Sequence, residues 1–190
     1  MRYDRIVIGY HGCDAETARR LLDGDPFKPS ENDYDWLGRG VYFWEFGPDR
    51  AYRFAEFQKS RGKIRAPAVV GALVQLGNCF DLLDTRFTQE LREAYPAWKK
   101  VMRAAGAKLP SNGGSLPDRK LRRRDCAFLN NYLERATAKG RTYDTVRGGF
   151  TEGGRIYRTS GIQRETHIQI AVRSADCILG VFRPANLSVP

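Results

Sequence analysis

The sequence predicts an α+β domain in which a mostly antiparallel sheet is flanked by helices. Apolar runs of strand length are interleaved with stretches of helical periodicity, but not in the strict strand–helix–strand order of a parallel α/β fold. The 190 residues are 42% hydrophobic and 12% aromatic, which is typical of a globular chain. A chain of this length can build one substantial core, so we expect residues 1–190 to form a single domain.

The first elements are a strand and a helix. Residues 4–12 contain a β-branched apolar run and are predicted as a strand. Asp14 is expected to cap a helix over residues 15–23, where apolar residues recur at helical spacing. Residues 25–38 are rich in proline and small polar residues and therefore predict a loop.

A second strand, a second helix and a buried strand follow. Residues 40–44 predict the strand, and Pro48 with Asp49 suits the first turn of a helix over residues 49–60. The run at residues 66–76 is almost continuously apolar, which indicates a strand covered on both faces.

The central part predicts two helices separated by a loop. Residues 86–105 form the first helix, and the glycine- and proline-rich residues 106–118 form a flexible loop. The densest basic cluster, residues 119–124, is expected to open a helix that runs to about residue 138. Cations oppose the helix dipole at this end, which favours contact with a polyanion, while a solvated helix start is the ordinary alternative.

The C-terminal part predicts three strands around a basic loop. The strands cover residues 143–147, 166–173 and 177–182, and residues 148–164 form a glycine-rich loop.

Two short motifs carry the functional prediction. The first is GYHGC at residues 9–13, and the second is LGRGVYFW at residues 37–44. Together they resemble the ADP-ribosyltransferase superfamily, and within it the poly(ADP-ribose) polymerase and diphtheria-toxin-like branch. The resemblance covers roughly residues 5–60 and 143–183, and it implies a split, mostly antiparallel sheet.

The resemblance implies that NAD is bound as a substrate. The Gly12 backbone would pair with the nicotinamide carboxamide, Tyr42 would lie against the ring, and His11 would donate to a ribose hydroxyl. Arg39 and Tyr52 are further NAD-binding candidates, although Tyr52 is about one position away from the second stacking tyrosine of the polymerases. Taken singly, His11 is also an ordinary strand-end histidine and Tyr42 an ordinary core aromatic.

The third element of the superfamily is a glutamate or glutamine that opens a later strand. Here it corresponds to Gln169, and alternation places His167, Gln169 and Ala171 on one strand face. We expect His11, Tyr42 and Gln169 to be catalytic, with Glu165 as the alternative to Gln169. The resembled family ties growth of poly(ADP-ribose) chains to a glutamate at this position, so chain growth is not expected for a protein with Gln169.

The loop before the catalytic strand recognises the acceptor in the resembled family. In this chain the expected acceptor contacts are Phe150, Arg155, Tyr157 and Glu165. Arginines interleaved with aromatic residues suit an unstacked base and its phosphates, and the net charge of +10 attracts polyanions. RNA or DNA is therefore the favoured acceptor, and an acidic protein surface is the alternative.

The resemblance thus implies a mono-ADP-ribosyltransferase that uses NAD and needs no metal. An inactive module that binds ADP-ribose or nucleic acid is the alternative. The RNA 2′-phosphotransferase relatives depend on a second histidine, and they match poorly because His167 is late in the chain. A compact, basic transferase of this kind resembles a bacterial toxin or anti-phage effector, which would imply an antitoxin or immunity protein as partner. Four scattered cysteines, two histidines and the lack of a secretory signal or membrane-length apolar run favour a reduced, cytoplasmic compartment.

Overall fold

The computed structural model describes residues 3–114 and 120–185, which form a seven-stranded sheet and four α-helices. The predicted α+β class and mostly antiparallel sheet are confirmed. The strands are β1 (Tyr3–Asp14), β2 (Val41–Glu45), β3 (Pro67–Gly77), β4 (Cys79–Asp81), β5 (Thr145–Phe150), β6 (His167–Val172) and β7 (Ile178–Phe182). The helices are α1 (Ala15–Leu22), α2 (Pro48–Ser60), α3 (Thr85–Ala104) and α4 (Arg123–Ala138).

The strand order is β4-β5-β6-β2-β1-β3-β7, and neighbouring strands are antiparallel except for β4 and β5. Strand β1 pairs with β3 along most of its length, from Tyr3 to Asp14. Its pairing with β2 is short, with Gly9 opposite Glu45 and Tyr10 opposite Trp44. The seven strands thus form one continuous sheet with a narrow join between β1 and β2, and the split that the resemblance implies is not observed.

Strand alternation divides the core between the two faces of the sheet. Ile170 and Val172 of β6 join the cluster that lies on the same side as α1. Ala171, between them, joins the cluster formed with α3 and α4 on the opposite face. The predicted alternation in residues 166–173 is confirmed, and it places Gln169 on the face of α3 and α4.

The predicted cap of the first helix is also confirmed. The carboxylate of Asp14 accepts from the backbone N–H of Glu16 at 3.1 Å, and it also accepts from those of Arg65 (2.7 Å) and Ala66 (3.0 Å). The bonds from Ala66, Arg65 and Glu16 lower the pKa of Asp14. One side chain therefore fixes both the start of α1 and the approach to β3.

The structure differs from the prediction in one additional strand and in the bounds of several elements. Strand β4 was not predicted, and β5 extends to Phe150, so that residue ends a strand instead of lying in the loop. Helix α4 begins at Arg123, because the side-chain oxygen of Asn112 accepts from the N–H of Arg124 at 2.9 Å and caps the helix from the preceding loop. Residues 115–118 of the predicted flexible loop, and residue 119 of the basic cluster, lie outside the described residues.

Candidate functional site

A cavity of about 280 Å³ lies beside the narrow join between β1 and β2. Its lining includes His11 from β1, Tyr42 from β2 and Gln169 from β6. The structure therefore brings the three expected catalytic residues together, although they come from separate parts of the chain.

His11 is held in the gap where the two strands diverge. Its Nδ1 lies 2.8 Å from the backbone oxygen of Tyr42, and because a carbonyl can only accept, Nδ1 carries the hydrogen. Burial lowers the pKa of His11, so the ring is neutral near pH 7 and its Nε2 is an acceptor. In this tautomer Nε2 can accept a hydrogen bond but cannot donate one, so a ribose hydroxyl at His11 would have to be the donor, and not the acceptor as expected from the sequence.

The Tyr42 hydroxyl is used to hold the loop before β2. It accepts from the backbone N–H of Leu37 at 3.0 Å and donates to the carbonyl of Gly38 at 2.8 Å. Burial raises the pKa of Tyr42 well above its usual value, so the hydroxyl remains protonated. Tyr42 is thereby fixed, and its ring is the part that it offers to the cavity.

Gln169 is fixed by a tryptophan that the sequence did not single out. The indole Nε1 of Trp36 donates to Oε1 of Gln169 at 2.6 Å, and since an indole nitrogen only donates, the orientation of the amide is settled. The amide NH₂ is then the group that Gln169 can offer to a ligand. Trp36 contacts Phe150, with ring centroids 4.4 Å apart, and lies over Gly148, where an added Cβ would be 2.7 Å from the indole.

A cluster of four charged side chains stands at the edge of the cavity. This rim cluster consists of Arg50, Lys120, Glu152 and Glu165. Glu152 is 5% exposed and lines the cavity, with its carboxylate 2.7 Å from Arg50 and 3.2 Å from Lys120. The same two cations lie 3.7 and 3.8 Å from Glu165, which is more exposed and is not part of the lining. Glu152 was missed because a single glutamate in a glycine-rich loop carries no distinctive sequence signal.

The loop before β2 completes the lining. It contributes Ser30, Asn32 and Asp35, and backbone hydrogen bonds between Ser30 and Gly40 (2.8 and 3.3 Å) join it to the start of β2. Burial raises the pKa of Asp35. The loop itself was predicted, but its part in the site was not.

Three of the expected NAD-binding residues lie outside this cavity. An added Cβ at Gly12 would be 2.1 Å from the carbonyl oxygen of Ala51, so this glycine allows α2 to pack closely on β1. Tyr52 packs in the small cluster that contains Ala51, on the same helix. Arg39 is exposed and lies 3.5 Å from Glu134 on α4.

The residues expected to contact the acceptor lie in two different places. Phe150 lines the cavity, and Glu165 joins the rim cluster. Arg155 and Tyr157 are exposed on the loop that follows β5 and do not line the cavity.

No group of histidine, cysteine and carboxylate side chains that could hold a metal ion occurs in residues 3–114 and 120–185. All four cysteines are free thiols. Within the same described ranges, no helix is both long enough and apolar enough to cross a bilayer.

Comparison with known proteins provides little further information. No family model matches the chain, and no solved structure matches it significantly. An uncharacterized protein of Methanocaldococcus jannaschii is 40% identical over 45 residues, which are 24% of this chain and 21% of that protein. The chain therefore matches about a fifth of the length of this relative, and the likeness indicates no activity.

Proposed function

We propose that the protein is a mono-ADP-ribosyltransferase that moves ADP-ribose from NAD to a macromolecular acceptor. The observation that carries this proposal is the convergence of His11, Tyr42 and Gln169 in the lining of one cavity. An aromatic ring, a neutral histidine acceptor and an oriented amide suit a nicotinamide ring joined to a ribose.

In this reaction the bond between the nicotinamide nitrogen and the ribose carbon breaks, and its electron pair leaves with neutral nicotinamide. A lone pair of the acceptor forms the new bond to that carbon, and the acceptor loses a proton. Positioning and electrostatic support of an oxocarbenium-like ribose lower the barrier. His11 would accept from a ribose hydroxyl through Nε2, and the NH₂ of Gln169 would donate to a ribose oxygen.

Glu152 is the residue we assign to receive the acceptor proton. Its carboxylate lines the cavity, and Arg50 and Lys120 hold it in place. Asp35 is the other carboxylate within the described lining, but hydrogen bonds from Asn32 lie at 3.4 and 3.5 Å and tie it to its own loop. A positioned carboxylate can act as a general base.

Nicotinamide release tests the activity directly. The protein is incubated with NAD labelled in its adenylate part and a cell lysate, and both free nicotinamide and labelled macromolecules are measured. Gln169→Ala should abolish transfer, while the matched variant Gln75→Ala, a glutamine on β3 away from the cavity, should keep it. Failure of the wild-type protein to bind NAD or release nicotinamide would overturn the proposal.

We propose nucleic acid, most specifically RNA, as the acceptor. Lys28, Arg50 and Lys120 line the cavity, and the guanidinium of Arg122 lies 5.1 Å from the ring centroid of Phe150. These cations suit phosphates, and the aromatic ring suits a base. If ribonuclease removes the ADP-ribose label from the labelled macromolecules, RNA is the acceptor. If only protease removes the label, the acceptor is a protein instead.

A binding module without turnover is the second candidate. It is favoured by the neutral Gln169 at the position where many members of the resembled family carry a glutamate, and by the bond that ties its oxygen to Trp36. Calorimetric binding of NAD or ADP-ribose together with no nicotinamide release would establish this function instead.

A further inference from the structure

We infer that a groove between helices α3 and α4 binds single-stranded RNA. This α3–α4 groove is a cavity of about 150 Å³ that shares no lining residue with the cavity beside β1 and β2. The inference rests on the RNA acceptor of the proposed function and gives that RNA a second contact surface. Helices α3 and α4 lie outside the parts of the chain that resemble the ADP-ribosyltransferase superfamily, so the resemblance assigns them no role.

Helical spacing places the lining of the groove on one side of each helix. The α4 residues recur three or four positions apart and include Phe128, Asn131, Tyr132, Arg135 and Lys139. Helix α3 contributes Ala94, Ala97 and Trp98 at the same spacing. Leu129 and Leu133 pack in the core instead, so α4 packs on the sheet through one side and lines the groove with the neighbouring side.

Aromatic rings form the floor of the α3–α4 groove. The ring centroid of Phe128 lies 5.2 Å from those of both Trp98 and Tyr95. Trp98 is buried, whereas Phe128 and Tyr132 are half-buried and present part of their rings to the groove. An apolar cavity of similar volume holds one ring of about the size of benzene. The groove can therefore take one unstacked base, and stacking on an aromatic side chain is the usual way in which proteins hold such a base.

The charged side chains that line the groove are all positive. They are Arg135, Lys139 and Arg141, and no carboxylate joins them among the described residues. Arg141 lies 3.3 Å from Glu90, whereas Arg135 and Lys139 are exposed and form no ion pair within residues 3–114 and 120–185. These two cations are therefore available to phosphate groups.

The combination of groups favours RNA over an acidic segment of a protein. A carboxylate side chain would satisfy the cations but would leave the aromatic floor unused, whereas a nucleotide carries both a phosphate and a ring. Asn131 also lines the groove, and its side-chain amide makes no hydrogen bond within the described part of the chain. Such an amide can bond a base edge or the 2′-hydroxyl that distinguishes RNA from DNA.

Helix α4 connects the groove to the cavity that contains His11. Arg122 caps the start of α4 and lies over Phe150, which lines that cavity, while Lys139 caps the end of the helix. The helix rises roughly 25 Å between the two caps. A strand of several nucleotides held in the groove can therefore reach the cavity, and the second contact raises the effective concentration of the acceptor there.

Fluorescence anisotropy with a labelled single-stranded RNA of about 16 nucleotides tests the groove without NAD. The double variant Arg135→Gln, Lys139→Gln loses two phosphate contacts. The slope of log affinity against log salt concentration should become shallower by about 1.4, and binding should weaken roughly 25-fold at about 0.1 M salt. Phe128→Leu should weaken binding about tenfold, because it removes a ring on which a base stacks.

Matched controls lie on α2 and just after it. The double variant Lys59→Gln, Lys63→Gln removes the same charge from exposed positions that line neither cavity. Phe57→Leu removes an exposed ring from the same helix. Both controls should bind RNA nearly as the wild type does. Circular dichroism and thermal melting establish that each variant is folded, and the exposed Arg135 and Lys139 keep the test decisive if Phe128→Leu does not fold.

Three results would overturn the inference. The first is equal RNA affinity in the wild type and the folded Arg135→Gln, Lys139→Gln variant, and the second is an equal loss in the Lys59→Gln, Lys63→Gln control. The third is a change of probe: if the groove variants lose binding of a labelled oligoglutamate but keep that of RNA, the groove binds a protein instead. Tighter binding of single-stranded DNA of the same sequence would likewise contradict the choice of RNA.

The outcomes also separate the groove from the proposed function. Loss of RNA binding in the groove variants of a protein that releases no nicotinamide from NAD supports the groove and contradicts the transferase. Release of nicotinamide from NAD, together with RNA binding that the groove variants do not change, contradicts the groove alone.

Discussion

Two ionic clusters on opposite faces of the sheet differ in how their charges are used. In the buried triad, the guanidinium of Arg147 bonds both carboxylate oxygens of Glu45 at 2.6 and 3.0 Å and that of Asp81 at 3.0 Å. All three residues are buried. The rim cluster also contains a buried glutamate, but its Lys120 is 54% exposed.

The difference indicates what each cluster can do. In the buried triad one guanidinium bonds two carboxylates and joins strands β2, β4 and β5, and Arg5 lies 3.7 Å from Glu45 as a second cation. Because all three members are buried, their contacts stabilise the sheet. In the rim cluster two cations are shared unequally between two glutamates, and one cation reaches solvent. An incoming anion can therefore compete for these cations without unfolding the protein.

The largest expected effect comes from opening the buried triad. Arg147→Met leaves two buried carboxylates without their partner and should lower the free energy of unfolding by about 3–5 kcal/mol. Urea denaturation measures this loss. The control is Arg183→Met, at an exposed position, which should change the free energy of unfolding by less than about 0.5 kcal/mol. A loss below about 1 kcal/mol would contradict the structural role of the triad.

The same kind of change in the rim cluster should affect activity more than stability. Glu152→Gln should reduce transfer by about 100-fold through loss of a general base. The free energy of unfolding should fall by less than in Arg147→Met, about 1–2 kcal/mol, because Glu165 remains beside both cations. Glu165→Gln shares the same two cations and should have a much smaller effect on transfer. If Glu165→Gln proves the more damaging variant, Glu165 is the residue that receives the proton.

An intermediate effect on the free energy of unfolding is expected in mild acid, and it comes from His11 and His167. Burial lowers the pKa of both His11 and His167, and the Arg50 charge also lowers that of His167. The unfolded chain therefore binds protons first, and stability is lost as pH falls below about 6.5, by at most about 1.4 kcal/mol per pH unit for each histidine. Chemical denaturation at several pH values should show that His11→Asn and His167→Asn each reduce this slope. If neither variant changes the dependence of the free energy of unfolding on pH, the two histidines do not cause it and the prediction is wrong.

The smallest expected effect is that of Lys120→Met. Because this side chain is half exposed, its ion pairs should contribute less than about 0.5 kcal/mol to the free energy of unfolding. Its contribution to nucleic-acid binding should appear instead as a change of about 1 in the slope of log affinity against log salt concentration. An unchanged salt slope would exclude Lys120 from phosphate contact.

Much of the fold could be predicted because its signals are local. The Asp14 cap and the alternation in residues 166–173 depend on a few neighbouring residues. The boundary errors occurred where a distant residue decides. Asn112 caps α4 from the preceding loop, and the three residues of β4 form a strand through parallel pairing with β5.

The sequence by itself determined the order of the elements, the α+β class and the candidate residues His11, Tyr42 and Gln169, because propensity, periodicity and short motifs are local properties. Only the tertiary structure decided that Trp36 orients Gln169, that Glu152 enters the cavity and that Gly12 packs against Ala51. Which atom meets which across the sheet depends on packing between elements far apart in the chain. Pairings of this kind leave no periodic trace in the sequence of either partner.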